Sequence, residues 1–188
     1  MDDPNPEAPS SGALVLTAWV FYLLMTLVGL GLILVQDLEF ETAVLGDGAN
    51  VGRDALIGAG TGLVVVGITW LCRGLEAVQT LNQELRSLLG NPSSLAIAGL
   101  AVSSAVGEEI FFRGALQPLL GFWITAVLFG LLHGGTSRRF RVWTAFAMVA
   151  GLLLGGLATY TENLLAPILC HMTINYFNLH LVVGTEPS

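Results

Sequence analysis

The chain has 188 residues, 54% of them hydrophobic and 11% charged, with a formal net charge of −7. Soluble domains carry roughly 25% charged residues, so a fold wetted on all sides is excluded. The chain has no lysine, and nothing in it matches the basic footprint of a nucleic-acid-binding protein.

Residues 1–12 form an acidic, proline-rich tail that is expected to be disordered. It lacks the positive start of a cleavable signal. Residues 13–35 carry no charge and read as a first membrane span. A polar, acidic loop follows over 36–54. The second span, 55–72, contains Gly58, Gly60 and Gly62, which would let a neighbouring helix approach closely. Over 73–89 the pattern changes. Leu75, Val78, Leu81, Leu85 and Leu88 recur at helical spacing among polar residues, which predicts an amphipathic helix on the membrane surface.

Gly90-Asn91-Pro92-Ser93-Ser94 is predicted to stop that helix and cap the next. The third span runs over about 95–116, and Pro118 and Gly121 mark a tight connection. The fourth covers 122–133, followed by a loop over 134–141 with Arg138, Arg139 and Arg141. The fifth, about 142–160, holds Gly151 and Gly155 at GxxxG spacing. The sixth covers about 164–183, leaving a tail at 184–188. Cys72 and Cys170 lie in apolar stretches without CxxC spacing and read as small buried hydrophobes.

The expected fold is all-α: a polytopic membrane bundle of about six transmembrane helices with one interfacial amphipathic helix. Two spans and the surface helix would occupy 13–91, and the core 92–183. Arg73, Arg86, Arg138, Arg139 and Arg141 then share one side, with Arg53 on the other. The positive-inside rule puts both termini in the cytoplasm.

Six polar side chains fall in the apolar second half: Glu108, Glu109, Arg113, His133, His171 and Asn175. Two adjacent carboxylates in hydrocarbon cost several kcal/mol unless protonated, paired or used. Glu109 and Arg113 are four residues apart and can pair on one helix face. Glu108 points about 100° away, so the two carboxylates need not share a role. His171 and Asn175 also share a face. A carboxylate and two imidazoles suit two kinds of chemistry. They can activate water and stabilise an oxyanion, or bind a divalent metal with one position left open. Taken singly, each residue has a plainer reading as a packing histidine, a helix staple or interhelical glue. Their convergence on three spans favours a site. One mismatch stands in the way. Glu108 lies about 14 residues, roughly 21 Å, into its span, whereas His133 falls near the end of its own.

Three motifs occur in order: Glu108-Glu109-Ile-Phe-Phe-Arg113, Phe129-Gly-Leu-Leu-His133 and His171-Met-Thr-Ile-Asn175. Together they resemble the CAAX protease and bacteriocin-processing (Abi) family of intramembrane proteases, which includes the type II CAAX prenyl endopeptidases. The resemblance implies that Glu108 activates the attacking water and His133 helps to hold it. His171 and Asn175 would stabilise the oxyanion, and Glu109 and Arg113 would form a supporting ion pair. Phe129 would pack the site.

It implies an endopeptidase of a bacterial cytoplasmic membrane, acting on a membrane-associated or lipidated substrate, with membrane lipids as its surroundings. A metal such as zinc is left open, with Glu108, His133 and His171 as candidate ligands; there is no HExxH motif. The competing readings are a non-enzymatic scaffold or immunity protein of the same fold, and a proton-coupled transporter. The chain lacks the repeated halves typical of a transporter.

Overall fold

The computed structural model describes residues 11–38, 44, 46, 48–134 and 141–184. Seven α-helices of at least thirteen residues account for most of them, with no strand among the described residues. They are α1 (Ser11–Val35), α2 (Val51–Leu71), α3 (Glu76–Leu89), α4 (Ser94–Glu109), α5 (Phe122–Gly134), α6 (Arg141–Thr161) and α7 (Leu165–Gly184). The fold is an all-α membrane bundle, and the chain is a multi-pass membrane protein.

The predicted boundaries hold closely, with instructive exceptions. The amphipathic segment opens with a 3-10 turn, Cys72–Gly74, before α3 begins. Leu81 on α3 is buried, whereas Leu88 is exposed. Gly90 ends α3 with a positive φ of 66°, a conformation that favours glycine. Ser93 caps α4, its Oγ accepting from the Ala96 N–H at 3.2 Å. The expected disordered tail at 1–10, and Arg138 and Arg139, lie outside the described residues; residues 11 and 12 already belong to α1.

Two of the six expected spans form helices that are shorter or less apolar than the other four. Among the described residues, four helical stretches are long and apolar enough to cross a membrane by length and composition: Gly12–Val35, Val51–Gly74, Ser94–Leu120 and Arg141–Thr161. Helix α5 has only 13 residues, about 20 Å of rise against the ~30 Å of a hydrocarbon core. Helix α7 has 20 residues but carries His171, Thr173, Asn175, Asn178 and His180, which lower its hydropathy.

The third rod does not remain α-helical. After Glu109 it loosens into a π-helical stretch, Ile110–Leu116, then closes with a short α turn, Gln117–Leu120. A π segment inserts extra backbone into a turn and often marks functional sites. Helix α1 presses directly on it: a Cβ on Gly29 would lie 3.0 Å from Phe111 Cα.

Glycines set the other close crossings. A Cβ on Gly58 would meet the Ala166 carbonyl oxygen at 2.3 Å, and one on Gly62 would meet Thr173 Cβ at 2.7 Å. These two positions let α2 lie against α7, while Gly60 faces open space. A Cβ on Gly151 would lie 2.9 Å from the Ala126 carbonyl oxygen, which brings α6 close to α5. The main buried cluster includes Phe112, Phe129, Leu154, Cys170 and Ile174.

Candidate active site

The depth mismatch between Glu108 and His133 disappears once the turn at Gly121 is counted. Leu120 lies twelve residues beyond Glu108, and His133 lies eleven beyond Phe122. The two arms of this hairpin therefore rise by nearly the same distance, roughly 17–18 Å. His133 arrives level with Glu108 because α5 is a half-length helix. Its Nε2 stands 3.2 Å from Glu108 Oε2.

Glu108 is buried, and its Oε2 makes no hydrogen bond. The 3.2 Å approach of His133 is close but poorly directed. His171 Nε2 stands 4.0 Å from the same oxygen. One carboxylate oxygen thus faces two imidazoles without being committed to either.

Both rings are held by their other nitrogen. His133 Nδ1–H donates to the Phe129 carbonyl at 2.7 Å, within its own helix. His171 Nδ1–H donates to Glu109 Oε1 at 2.8 Å. In each case Nε2 is the atom turned toward Glu108, so hydrogen bonding fixes the ring orientation.

Glu109 and Arg113 form the expected pair, Nη1 donating to Oε1 at 2.9 Å with both side chains fully buried. Arg113 also donates from Nη2 to the Gly151 carbonyl at 3.1 Å. The role expected for Glu109 therefore widens: one oxygen, Oε1, serves both Arg113 and His171. Phe129 packs against three of these groups. Its ring centroid lies 4.3 Å from that of His133 and 6.0 Å from that of His171. The Arg113 guanidinium carbon sits 4.2 Å from the same centroid.

Asn175 joins the edge of this cluster. It stands one turn beyond His171 and donates from Nδ2 to Ser104 Oγ at 2.9 Å. Ser104 is buried, stands one turn before Glu108, and donates in turn to the Ala101 carbonyl at 3.3 Å.

Two neighbours of the site were not apparent in the sequence. Ser104 falls within an otherwise small-residue run, and serines are common at helix contacts. Tyr22, on α1, brings its backbone against Gly107, the residue before Glu108: a Cβ there would lie 2.9 Å from the Tyr22 carbonyl oxygen. An aromatic residue in an uncharged span gives no sequence signal of such a contact.

The metal expectation depends on whether Glu108, His133 and His171 can converge on one ion. Among the described residues, no group of three or more His, Cys, Asp or Glu side chains is arranged to hold a metal.

Residues 90–177 match the family model for Rce1-like, type II CAAX prenyl endopeptidase. The uncharacterized protein YpbD of Bacillus subtilis (strain 168) is 36% identical over 78 residues. That match spans 40% of this chain and 40% of YpbD's length. No solved structure matches. All six polar residues fall inside the matched segment, where the chain is similar to the Rce1-like family of type II CAAX prenyl endopeptidases.

Proposed function

We propose that this protein is an intramembrane endopeptidase that hydrolyses a peptide bond in a membrane-associated or lipidated substrate. The observation that carries this reading is Glu108 Oε2, a buried carboxylate oxygen with no hydrogen bond, facing two oriented imidazoles. A general base must be within reach of the proton it takes and uncommitted before it does so.

In this mechanism the water oxygen bonds to the scissile carbonyl carbon as Glu108 takes one of its protons. His133 Nε2 helps to hold that water. The carbonyl electron pair moves onto oxygen, where an N–H at His171 Nε2 and the Asn175 amide meet the developing charge. Glu109 orients the His171 ring through Nδ1–H, and Arg113 holds Glu109 in place. The oxyanion then collapses, the C–N bond breaks, and Glu108 passes its proton to the leaving amine. The arginine distribution adds that both termini face the cytoplasm.

The test is turnover of fluorogenic peptides, prenylated and unmodified, by the full chain reconstituted in lipid nanodiscs. Glu108→Gln keeps the shape of the side chain and removes the base. It should lower kcat by about 10²–10⁴-fold with an unchanged unfolding midpoint. Wild-type-like turnover in that variant would end the assignment.

A further inference from the structure

Helices α2 and α7 leave a groove of about 430 Å³ between them, walled in part by Leu63, Val66, Gly67, Trp70, Phe177 and His180. By helical periodicity Phe177 and His180 face away from His171 and Asn175, so this groove is not the site around Glu108. We infer that it binds one anionic phospholipid of the surrounding membrane. The phosphate sits on Arg73, a glycerol ester carbonyl on His180 Nε2–H, and one acyl chain runs past Gly67 to Leu63. The site does not depend on the peptidase reading.

The groove is polar at one end only. The two helices run side by side in the same direction: Gly58 packs on Ala166, Gly62 on Thr173, and Thr69 Oγ1 donates to Asn178 Oδ1 at 2.9 Å. This register sets His180 beside the last turn of α2, near Trp70, with Leu63 roughly 10 Å deeper. Arg73 closes the polar end. Its guanidinium carbon lies 3.7 Å from the Trp70 ring centroid, and Nη1 donates to the Trp70 carbonyl at 2.8 Å. The side chain is exposed and pairs with no carboxylate among the described residues, so the rest of its guanidinium is open to an anion.

His180 supplies the second polar contact. Its Nε2 is buried without a hydrogen-bond partner, an uncommon state for a buried polar atom. The ring packs edge-on to Tyr176 at 4.7 Å. An N–H at Nε2 needs an acceptor, and an ester carbonyl is one that a lipid carries into hydrocarbon. Below this level the walls are apolar, and Leu63, Trp70 and Phe177 are exposed along them. A Cβ on Gly67 would meet nothing within 4 Å, so the floor is open. From Leu63 to Arg73 the length is about 15 Å, half of the ~30 Å hydrocarbon core and so the depth of one leaflet. A cation at the interface end, an unpaired imidazole nitrogen below it and hydrocarbon beyond match phosphate, ester and acyl chain in that order.

Trp70 reports on the groove. The full chain in detergent micelles is titrated with phosphatidylglycerol or phosphatidylcholine carrying the same dibrominated acyl chains. Quenching of Trp70 is taken as wild type minus Trp70→Phe. Phosphatidylglycerol should bind about fivefold more tightly, the preference expected of one interfacial cation. Arg73→Gln should erase that preference, whereas Arg141→Gln, an exposed cation on α6, should keep it. His180→Phe should weaken both lipids about fivefold, since both carry the ester. Gly67→Leu should exclude both without lowering the unfolding midpoint.

Equal affinity for the two lipids in wild type, or a preference that survives Arg73→Gln, would overturn the phosphate contact. Unchanged affinity in His180→Phe would overturn the ester contact. No quenching in wild type would show the groove covered by protein, and full quenching in Gly67→Leu would show that no chain lies in it; either overturns the lipid site. Inorganic phosphate at millimolar concentration should not displace the lipid. If it erased the phosphatidylglycerol preference, the ligand would be the free anion and not the lipid.

Discussion

Glu109 Oε1 accepts from Arg113 at 2.9 Å and from His171 at 2.8 Å, so a single buried oxygen joins the ion pair to the His171 imidazole. Removing that carboxylate has two separable consequences. His171 loses the partner that orients its ring, and Arg113 is left as a buried charge without its counter-ion. Glu109→Ala should therefore cost about 3–5 kcal/mol of stability, besides lowering kcat. The double variant Glu109→Ala/Arg113→Ala removes both charges and should lose less stability than the two single losses added together. Denaturant unfolding in micelles measures this. Strictly additive losses would show that the two residues do not share a network.

Asn175 and Ser104 give a milder prediction. The Asn175 amide is held by Ser104, not by the carboxylates. Ser104→Ala deletes one neutral hydrogen bond and leaves Asn175 present but free to rotate. The expected result is a several-fold fall in kcat, at about 1 kcal/mol per bond, smaller than that of Asn175→Ala. If Ser104→Ala proves as damaging as Asn175→Ala, the amide acts only through its seat on Ser104.

The sequence made the chemistry legible before the architecture. Glu108, Glu109, Arg113, His133, His171 and Asn175 stand out because charge and amide groups are costly in hydrocarbon, and each was expected at the site. The level at which His133 meets Glu108 was harder to see, because it depends on hairpin arms of matching length around Gly121 and not on either span alone. Of the six expected spans, the half-length α5 and the polar α7 fall short of the other four in length or hydropathy. The π stretch over Ile110–Leu116 left no composition signal, since Ile-Phe-Phe-Arg-Gly-Ala-Leu suits an α-helix equally well. The approach of α1 at Gly107 was hidden for a different reason: it joins Tyr22 and Gly107, residues 85 positions apart.

Gly58 and Gly60 differ by two positions and should respond in opposite senses to alanine. At Gly60 an added Cβ meets nothing within 4 Å. Alanine there should be neutral or stabilise the helix by about 0.5–1 kcal/mol. At Gly58 the new Cβ would collide with the backbone of Ala166, with the carbonyl oxygen 2.3 Å away. Backbone cannot step aside as a flexible side chain can, so α2 and α7 must separate. Overpacking of this kind costs about 1–3 kcal/mol or more. Thermal unfolding of the two variants, side by side, checks the crossing; a stabilised Gly58→Ala would show that α2 does not pack there.

Asn163 ties the start of α2 to the start of α7, away from the cluster around Glu108. Its Nδ2 donates to Asp54 Oδ2 at 2.8 Å and to the Thr161 carbonyl at 2.7 Å, while its Oδ1 accepts from the Leu165 N–H at 3.0 Å. Asp54 is itself buried and takes a second bond from Arg53 Nε at 2.8 Å. Asn163→Ala should thus uncap α7 and strip Asp54 of its buried partner together. A lost cap costs about 1 kcal/mol, and an unsatisfied buried acceptor about 1–3 kcal/mol. His171 stands only six residues beyond Leu165 on the same helix. If α7 moves as a rigid rod, kcat falls with stability; if only its first turn frays, the turnover of the folded fraction is unchanged. The Glu109 bond anchors His171 independently of that end, so the expected outcome is a lower unfolding midpoint with kcat per folded molecule retained. A large fall in kcat at full stability would instead place Asn163 in the control of the site.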